Sequence, residues 1–323
     1  MTYKNLGKTG IRVSEIALGT MTFGRETDYG EAVKIFSLSR DRGINLFDCA
    51  DIYNQGRAEE FLGKLTSGCR NEVLITSKVT QKSGPGENDS GSSRRHILLS
   101  VEKSLKRLNT DRIDFYFIHL FDPHTDMEGI LRTLDDLVRQ GKILYPGVSN
   151  WSAWQIAKAL GISSIKGLER FQCVQPMYSL VKRQAEVEIF PMALSEGLGT
   201  LCYSPLGAGL LTGKYRGGRL PGGTRFSEKE YYHQRYDDEE YYRTAERVCV
   251  FAEEKGIPPA RLALAWVMKH EAVTAPILGA RDVGQLEESL SVLDNPPDKE
   301  TLQALATMTR NPPPPTDRLE EIR

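Results

Sequence analysis

Cysteine is scarce in this sequence, and long apolar runs are missing. The 323 residues include only five cysteines, and none of them belongs to a CxxC pair: Cys49, Cys69, Cys173, Cys202 and Cys249. Disulfide frameworks need paired cysteines and zinc knuckles need CxxC pairs, so neither is expected. No window approaches the roughly 18 apolar residues of a transmembrane helix, and the N-terminal MTYKNLGKTGIRVSE lacks the apolar core of a secretory signal. These absences predict reduced thiols in a cytoplasmic protein.

A strong charge of either sign is also missing. The chain is 26% charged, but its formal net charge is only -1. Binding to nucleic acids or to membrane surfaces usually relies on clustered lysine and arginine. We therefore expect a protein that acts on a small molecule, with neither nucleic acid nor membrane as a partner. The sequence leaves its oligomeric state open.

Short apolar runs alternate with amphipathic segments along almost the whole chain. The candidate strands are residues 15–20, 44–50, 72–78, 114–120, 143–150, 171–175, 199–205 and 273–280. Between two of them, Ile97, Val101, Leu105 and Leu108 recur at spacings of three and four, which is typical of one helix face. About eight strands, each followed by a helix, predict an α/β fold of the (β/α)8 TIM barrel type, with residues 1–323 as one domain.

An open, doubly wound sheet is the alternative architecture. Such a sheet usually carries a GxGxxG turn after its first strand, and EIALGTMTFG has none; GAGLLTG, at 207–213, follows the seventh run and has the wrong spacing. Outside the repeat, residues 1–14 predict a hairpin that turns at Gly7–Gly10 and caps the bottom of the barrel. Residues 206–240 predict a long loop that contacts cofactor or substrate, and 311–323 an extended tail.

Polar side chains follow the predicted strands one after another. After the second to the seventh strand these are Asp48, Lys78, His119, Asn150, Gln175 and Tyr203, and Gly279 falls in the eighth. Barrel enzymes build their active sites at the C-terminal ends of the strands and in the loops beyond them. For any single residue of this kind a structural role is the better interpretation, but the whole set on one rim predicts an active site.

The chemistry that these side chains share is proton transfer to a carbonyl oxygen. A free tyrosine has a pKa of about 10, too high for ready proton exchange near neutral pH. We expect Lys78 to lower the pKa of Tyr53, because a nearby ammonium favours the phenolate. Asp48 would keep Lys78 charged and oriented, and a neutral His119 would hold the substrate oxygen beside the phenol.

Asp48, Tyr53, Lys78 and His119, in this order, resemble the catalytic tetrad of the aldo-keto reductases. The resemblance covers nearly the whole chain and includes FDCADIYNQGRAEEFLG, ITSKV, DFYFIHLFDP, GVSNW, YSPLGAGLLTGKY and PILGARDVGQLEESL. The last two segments are most similar to the bacterial and plant members related to potassium-channel β subunits. The resemblance implies an NADPH-dependent oxidoreductase that reduces an aldehyde or ketone to the alcohol, with hydride from the nicotinamide and a proton from Tyr53.

The resemblance also implies where NADPH binds across the barrel mouth. Ser149, Asn150 and Gln175 would hold the nicotinamide carboxamide, and Tyr203 would stack on the ring. The pyrophosphate would follow Ser204, Pro205, Leu206, Thr212 and Lys214. The adenosine end would lie among Gly279, Ala280, Arg281, Gln285 and Glu288. An arginine suits the 2′-phosphate, because its guanidinium forms paired hydrogen bonds with phosphate oxygens.

Three other functions fit parts of the pattern. An NADPH-binding, redox-sensing regulatory protein of the channel β-subunit type would show little turnover; some such relatives lack the histidine, so His119 favours catalysis. A Schiff-base aldolase would use Lys78 as its nucleophile. A metal site could be sought among His119, Asp122, His124 and Asp126, but HLFDPHTD has no familiar ligand spacing, so no metal is expected.

Overall fold

The computed structural model describes residues 1–218, 221–228 and 230–316, without the side chains of residues 225 and 228. The chain begins with an antiparallel hairpin of β1 (Tyr3–Asn5) and β2 (Arg12–Ser14). The tip of the hairpin packs under the barrel, because a Cβ at Gly199, where a barrel strand begins, would lie 2.4 Å from the Leu6 side chain. The predicted N-terminal hairpin is confirmed, and Leu6 closes the barrel bottom.

Eight parallel strands follow in chain order and close into a barrel, in which the last strand pairs with the first. They are β3 (Ala17–Gly19), β4 (Leu46–Asp48), β5 (Leu74–Val79), β6 (Ile113–Ile118), β7 (Ile143–Ser149), β8 (Cys173–Gln175), β9 (Gly199–Cys202) and β10 (Ala275–Gly279). Each lies within one residue of a predicted strand or inside it. The (β/α)8 barrel is therefore confirmed, and the open sheet is wrong.

Helices surround the strands. Their bounds are α1 (Tyr29–Asp41), α2 (Arg57–Thr66), α3 (Arg94–Leu108), α4 (Met127–Arg139), α5 (Ala153–Lys166), α6 (Ile189–Glu196), α7 (Arg225–Glu228), α8 (Glu230–Arg235), α9 (Glu239–Lys255), α10 (Pro259–Lys269), α11 (Val283–Leu290) and α12 (Lys299–Thr307). Several helices begin at a residue whose short polar side chain accepts a hydrogen bond from the first turn. Ser93, for example, accepts a hydrogen bond from the His96 amide, 3.2 Å away, at the start of α3. Helix α4 ends just before Gly141, which has the left-handed φ of 72° that favours glycine.

Each strand has two apolar faces, of which one points into the barrel and the other toward the surrounding helices. On β6, Phe115 and Phe117 point into the barrel, where they pack with residues such as Leu46 and Leu201. Tyr116 and Ile118 alternate with them and pack against the surrounding helices. Since both faces of every strand are covered, the strands are nearly continuous apolar runs, which is why polar residues at their C-terminal ends stand out.

The segment predicted as a long loop, 206–240, contains short helical pieces. A 3-10 helix covers Gly207–Thr212 and another Arg216–Gly218, and α7 and α8 follow. Residues 219, 220 and 229 of this prediction lie outside the described part. Of the predicted tail, residues 311–316 have no regular structure, and 317–323 are not described. No helix in the described ranges is both long and apolar enough to cross a membrane.

Candidate active site

Asp48 and Lys78 form a buried ion pair at the C-terminal ends of two neighbouring strands. The Lys78 Nζ donates to both Asp48 carboxylate oxygens, at 2.8 and 2.7 Å, and to the Cys49 carbonyl oxygen at 2.7 Å. Lys78 is fully buried. A buried ammonium is tolerated only when its hydrogen bonds are satisfied and a counterion lies close by, and both conditions hold here. The pair matches the prediction that Asp48 is the partner of Lys78.

Two neutral side chains complete the hydrogen bonds of Asp48. Its Oδ1 accepts from the Thr76 hydroxyl at 2.6 Å and from the Gln175 amide at 2.8 Å. Thr76 was not predicted as a site residue, although the sequence contains a signal for it. Thr76 lies two residues before Lys78 on β5, so both side chains leave the strand on the same face. The carboxylate is therefore held from three directions.

Tyr53 lies in the loop after β4, and its hydroxyl is 3.4 Å from the Lys78 Nζ. The loop is fixed to its neighbour by the Asn54 amide, which donates to the carbonyl oxygens of Met21 and Phe23 at 2.9 and 2.7 Å. Asn54 and Gln55 both adopt left-handed backbone angles, with φ of 50° and 59°. Such strain in non-glycine residues concentrates at functional sites, and here it follows directly after Tyr53.

The expectation that Lys78 lowers the pKa of Tyr53 is wrong. Burial raises the pKa of the Tyr53 phenol well above its usual value, and the negative charge of Asp48 raises it further. Burial and the Asp48 charge together outweigh the stabilisation that the Lys78 ammonium, 3.4 Å away, offers to a phenolate. Tyr53 consequently keeps its proton at neutral pH, and the protonated phenol is the form that a proton donor requires.

His119 follows β6 and lines the cavity beside the Tyr53 phenol. The ring centroids of Tyr53 and His119 are 6.4 Å apart, and the rings meet edge to face. Burial, assisted by the charge of Lys78, lowers the pKa of His119 to about 3, so the imidazole is neutral near pH 7. Its Nδ1 lies 3.2 Å from the Gln81 amide nitrogen, a contact in which the amide donates and leaves Nε2 protonated. No sequence pattern marks Gln81, which belongs to an irregular loop.

A cavity of about 1090 Å³ opens at this end of the barrel. Asp48, Tyr53 and His119 line it, whereas Lys78 lies behind Asp48. Of the predicted cofactor residues, those that also line it are Ser149, Asn150, Gln175, Tyr203, Ser204, Pro205, Leu206, Thr212, Lys214, Gly279, Ala280, Arg281 and Gln285. Glu288 is exposed on α11 and does not line the cavity. The structure thus brings the predicted residues to one site, apart from Glu288.

The residues predicted to hold the nicotinamide are already linked to one another. The Tyr203 hydroxyl donates to the Asn150 side-chain oxygen at 2.7 Å, and the Asn150 amide donates to the His119 carbonyl oxygen at 2.9 Å. The Ser149 hydroxyl donates to the Gln175 carbonyl oxygen at 2.8 Å. Asn150 has a left-handed φ of 57°. This network fixes the polar groups on the rim next to His119.

The rim around Lys214 and Arg281 has the chemistry of an anion site. At Gly209 (φ 98°) an added Cβ would lie 2.5 Å from the Lys214 side chain, so the bare glycine lets that lysine cross close to the backbone. Arg281 follows β10, just before α11, and its guanidinium donates to the Gly223 carbonyl oxygen at 2.5 Å. Lysine, arginine and nearby backbone amides are the groups that bind phosphate in proteins.

The metal and Schiff-base alternatives receive no support from the geometry. The Asp122 carboxylate accepts hydrogen bonds from the Ser92 amide at 2.7 Å and the Thr125 hydroxyl at 2.6 Å, which fix a loop. No cluster of three or more His, Cys, Asp or Glu side chains in the described ranges is arranged to hold a metal. Lys78 is fully buried and held by Asp48, so its nitrogen cannot reach a substrate carbonyl.

A second buried carboxylate, Asp51, lies behind the site. Its side chain is buried, and neither carboxylate oxygen has a well-aligned hydrogen-bond donor among the described residues. Burial raises the pKa of Asp51 to about 7, the neighbouring Glu59 carboxylate adds to this rise, and Arg107 only partly opposes it. Asp51 is therefore a group whose ionisation destabilises the fold.

We expect Asp51→Asn to stabilise the protein at pH 8 more than at pH 5. Between about pH 4 and 7 the folded state keeps the Asp51 proton while the unfolded state loses it, so the free energy of unfolding falls as the pH rises. Asparagine removes that loss, which is worth about 1–3 kcal/mol between these two pH values. Urea unfolding at pH 5 and pH 8 measures the difference. The exposed Asp111→Asn is the matched control, and equal effects of Asp51→Asn at both pH values would contradict the ionisation argument.

Comparison with known proteins gives one consistent result. A sequence model of the Aldo/keto reductase family matches residues 15–309. A probable voltage-gated potassium channel subunit beta of Arabidopsis thaliana is 36% identical over 91% of this chain and 92% of its own length. The protein of the same name from Oryza sativa subsp. japonica shows the same figures. The uncharacterized oxidoreductase YrpG of Bacillus subtilis (strain 168) is 38% identical over 94% of this chain and 95% of its own.

Proposed function

Because this chain belongs to the Aldo/keto reductase family, and is thus an oxidoreductase, we propose that it reduces an aldehyde or a ketone to the alcohol with NADPH. The observation that carries the proposal is the convergence of a protonated phenol, a neutral imidazole and a buried Lys–Asp pair at one cavity. Those groups together suit proton delivery to a carbonyl oxygen. The five free cysteines support a cytoplasmic location as part of the same proposal.

The roles of the side chains follow from their geometry. Tyr53 donates its phenolic proton to the carbonyl oxygen as negative charge develops there. His119, which is neutral, donates a hydrogen bond from Nε2 to the same oxygen and so fixes the substrate beside the phenol. Lys78 lies 3.4 Å from the phenolic oxygen and stabilises the charge left on it after the proton departs, while Asp48 keeps the ammonium in place. When bound, NADPH supplies the hydride for the carbonyl carbon.

The rim residues suit the chemistry of NADPH. Ser149, Asn150 and Gln175 offer the amide and hydroxyl groups that a carboxamide needs, and Tyr203 offers an aromatic face for the nicotinamide. Lys214 and Arg281 offer positive charge for the pyrophosphate and the 2′-phosphate. Glu288 stays a prediction from the family resemblance.

Arg281→Ala should weaken NADPH binding by about 1–3 kcal/mol, the range for a hydrogen bond to a charged group. NADH has no 2′-phosphate, so its affinity should hardly change. Fluorescence titration of both cofactors at one ionic strength measures the two dissociation constants. Arg261→Ala, in a helix outside the cavity, is a control for arginine removal.

Two results would contradict this role of Arg281. Equal weakening of NADH and NADPH would show that Arg281 supports the adjoining loop, whose Gly223 carbonyl it binds, rather than the phosphate. Unchanged binding of both cofactors would show a surface arginine with no part in the site.

The proposed activity is tested by mixing the protein and NADPH with a panel of aldehydes and ketones and following the loss of NADPH absorbance. We expect steady turnover with at least one carbonyl compound, and none when NADPH alone is present. The Tyr53→Phe variant, run in parallel, should show greatly reduced turnover. That loss would exclude a contaminating reductase as the source of the activity. Lack of turnover across the panel, in protein that binds NADPH, would refute the reductase function.

The names of two relatives favour a second candidate function. Both are described as probable channel β subunits, so an NADPH-binding regulatory protein with little turnover is the alternative. The complete set of Asp48, Tyr53, Lys78 and His119 supports catalysis over regulation, because a binding protein has no need of a positioned proton donor. Tight NADPH binding without any carbonyl reduction is the result that would favour the alternative.

A further inference from the structure

Helix α8 brings an arginine to the cavity that no sequence pattern predicted. Tyr231, Tyr232 and Arg235 of this helix all line the cavity. The Arg235 guanidinium lies over the rings of Tyr231 and Tyr232, with 5.3 and 5.7 Å to the ring centroids. In the described ranges Arg235 forms no ion pair with a carboxylate. Its charge is therefore oriented by two aromatic rings but not neutralised.

Among the described residues that line the cavity, cationic side chains outnumber acidic ones. Its cationic residues are Arg25, Arg57, Lys214, Arg235 and Arg281. Asp48 is the single acidic residue of this lining in the described chain, and Lys78 already neutralises it at 2.7 Å. Lys214 and Arg281 account for the phosphates of the cofactor, so the positive charge of Arg235 is left without an assigned counterion.

Arg235 lines the same cavity as Tyr53 and His119, the residues at which the reaction would occur. Tyr203 and Arg235 line the same cavity, and the charge of Arg235 partly opposes the rise that burial gives to the pKa of Tyr203. Tyr203 in turn is bonded to Asn150, whose amide is bonded to the backbone of His119. The ring of Tyr232, over which Arg235 lies, is buried and lines the cavity together with Tyr53 and Tyr203.

We propose that the carbonyl substrate carries a carboxylate, which Arg235 binds while the carbonyl oxygen lies between Tyr53 and His119. The inference rests on the proposed reductase function and names its substrate class. A guanidinium that stacks on aromatic rings directs its N–H groups outward in its own plane, and this edge matches the two oxygens of a carboxylate. The carboxylate of an oxo acid gives Arg235 a counterion in the cavity, whereas an uncharged aldehyde does not.

The test compares charged and uncharged forms of the same substrates. A series of aliphatic ω-oxo acids of increasing chain length, each paired with its methyl ester, is reduced by the wild-type protein with saturating NADPH. At the chain length that spans Arg235 and the carbonyl position, we expect kcat/KM for the acid to exceed that for the ester by about 10–100-fold, as for a charge-assisted hydrogen bond. Arg235→Gln should abolish this preference and leave the ester unaffected, and Arg235→Lys should restore part of it.

Arg243→Gln is the matched control, because Arg243 is an exposed arginine of α9 that pairs with Glu239 at 2.8 Å, outside the cavity. It should retain the full preference for the acid. The proposal is overturned if the wild type shows no acid preference at any chain length, or if Arg235→Gln keeps it. It is also overturned if Arg235→Gln weakens NADPH binding and lowers acid and ester reduction equally, since Arg235 would then serve the cofactor. Absence of all carbonyl reduction would instead refute the reductase function itself.

Discussion

Tyr53→Phe should lower kcat by about 10²–10⁴-fold, the usual contribution of a general acid. The substitution removes only the phenolic hydroxyl, which lies 3.4 Å from the Lys78 Nζ and keeps its proton at neutral pH. Phenylalanine keeps the ring, so its edge contact with His119 and the shape of the cavity are retained. The measurement is kcat with a reactive aldehyde, together with the dissociation constant of NADPH, which should hardly change.

A second tyrosine offers a matched control for this experiment. The Tyr116 hydroxyl is buried on the outer face of β6 and has no hydrogen-bond partner in the described structure. Tyr116→Phe therefore removes a phenol of equal size outside the site and should leave kcat unchanged. Near-normal turnover by Tyr53→Phe would exclude Tyr53 as the proton donor. A large loss of NADPH affinity would show that its hydroxyl supports the cofactor site instead.

Most of the fold could be predicted from the sequence because a parallel barrel repeats one simple pattern. Each strand is buried on both faces and is therefore a continuous apolar run. Each helix is buried on one face, so its apolar residues recur three and four positions apart, and the two patterns alternate eight times. The strand at 143–150, for example, differs from β7 by one residue. Segment 206–240 breaks the repeat. Its short helices, α7 and α8, have only four and six residues, too few for a periodicity that could predict them.

The catalytic side chains could be predicted for a related reason. A carboxylate or ammonium at the end of an apolar strand is costly unless it has a partner, so Asp48 and Lys78 each indicate the other. Gln81 and Arg235 carry no such signal, since both come from segments that are already polar. The pKa of Tyr53 was predicted in the wrong direction because the sequence does not show how deeply the phenol is buried, nor that the charge of Asp48 acts on the phenol as well as on Lys78.

Lys78→Met should both abolish activity and destabilise the fold. The ammonium makes three hydrogen bonds shorter than 3 Å, two to Asp48 and one to the Cys49 carbonyl oxygen. Without it, Asp48 is a buried carboxylate that keeps only the neutral donors Thr76 and Gln175. Removing one partner of a buried ion pair typically costs about 3–5 kcal/mol. The loss of kcat should be comparable to that of Tyr53→Phe, because the charge that stabilises the deprotonated phenol is gone.

The pH dependence of the destabilisation identifies its cause. The stranded Asp48 would avoid its charge by taking up a proton, so its pKa in the folded variant would rise above the unfolded value. The folded state then holds more protons than the unfolded state, and the free energy of unfolding falls as the pH rises through that window. Urea unfolding of Lys78→Met should therefore show a larger loss of unfolding free energy, relative to the wild type, at pH 8 than at pH 5.

Combining Lys78→Met with Asp48→Asn should recover part of the stability but no activity, since the unpaired charge is removed while the ammonium stays absent. Lys34→Met is the control, because Lys34 is 65% exposed and pairs only with Glu31 on the surface. A deficit that is the same at both pH values, or a double variant no more stable than Lys78→Met, would show that lost packing rather than the unpaired carboxylate destabilises the fold.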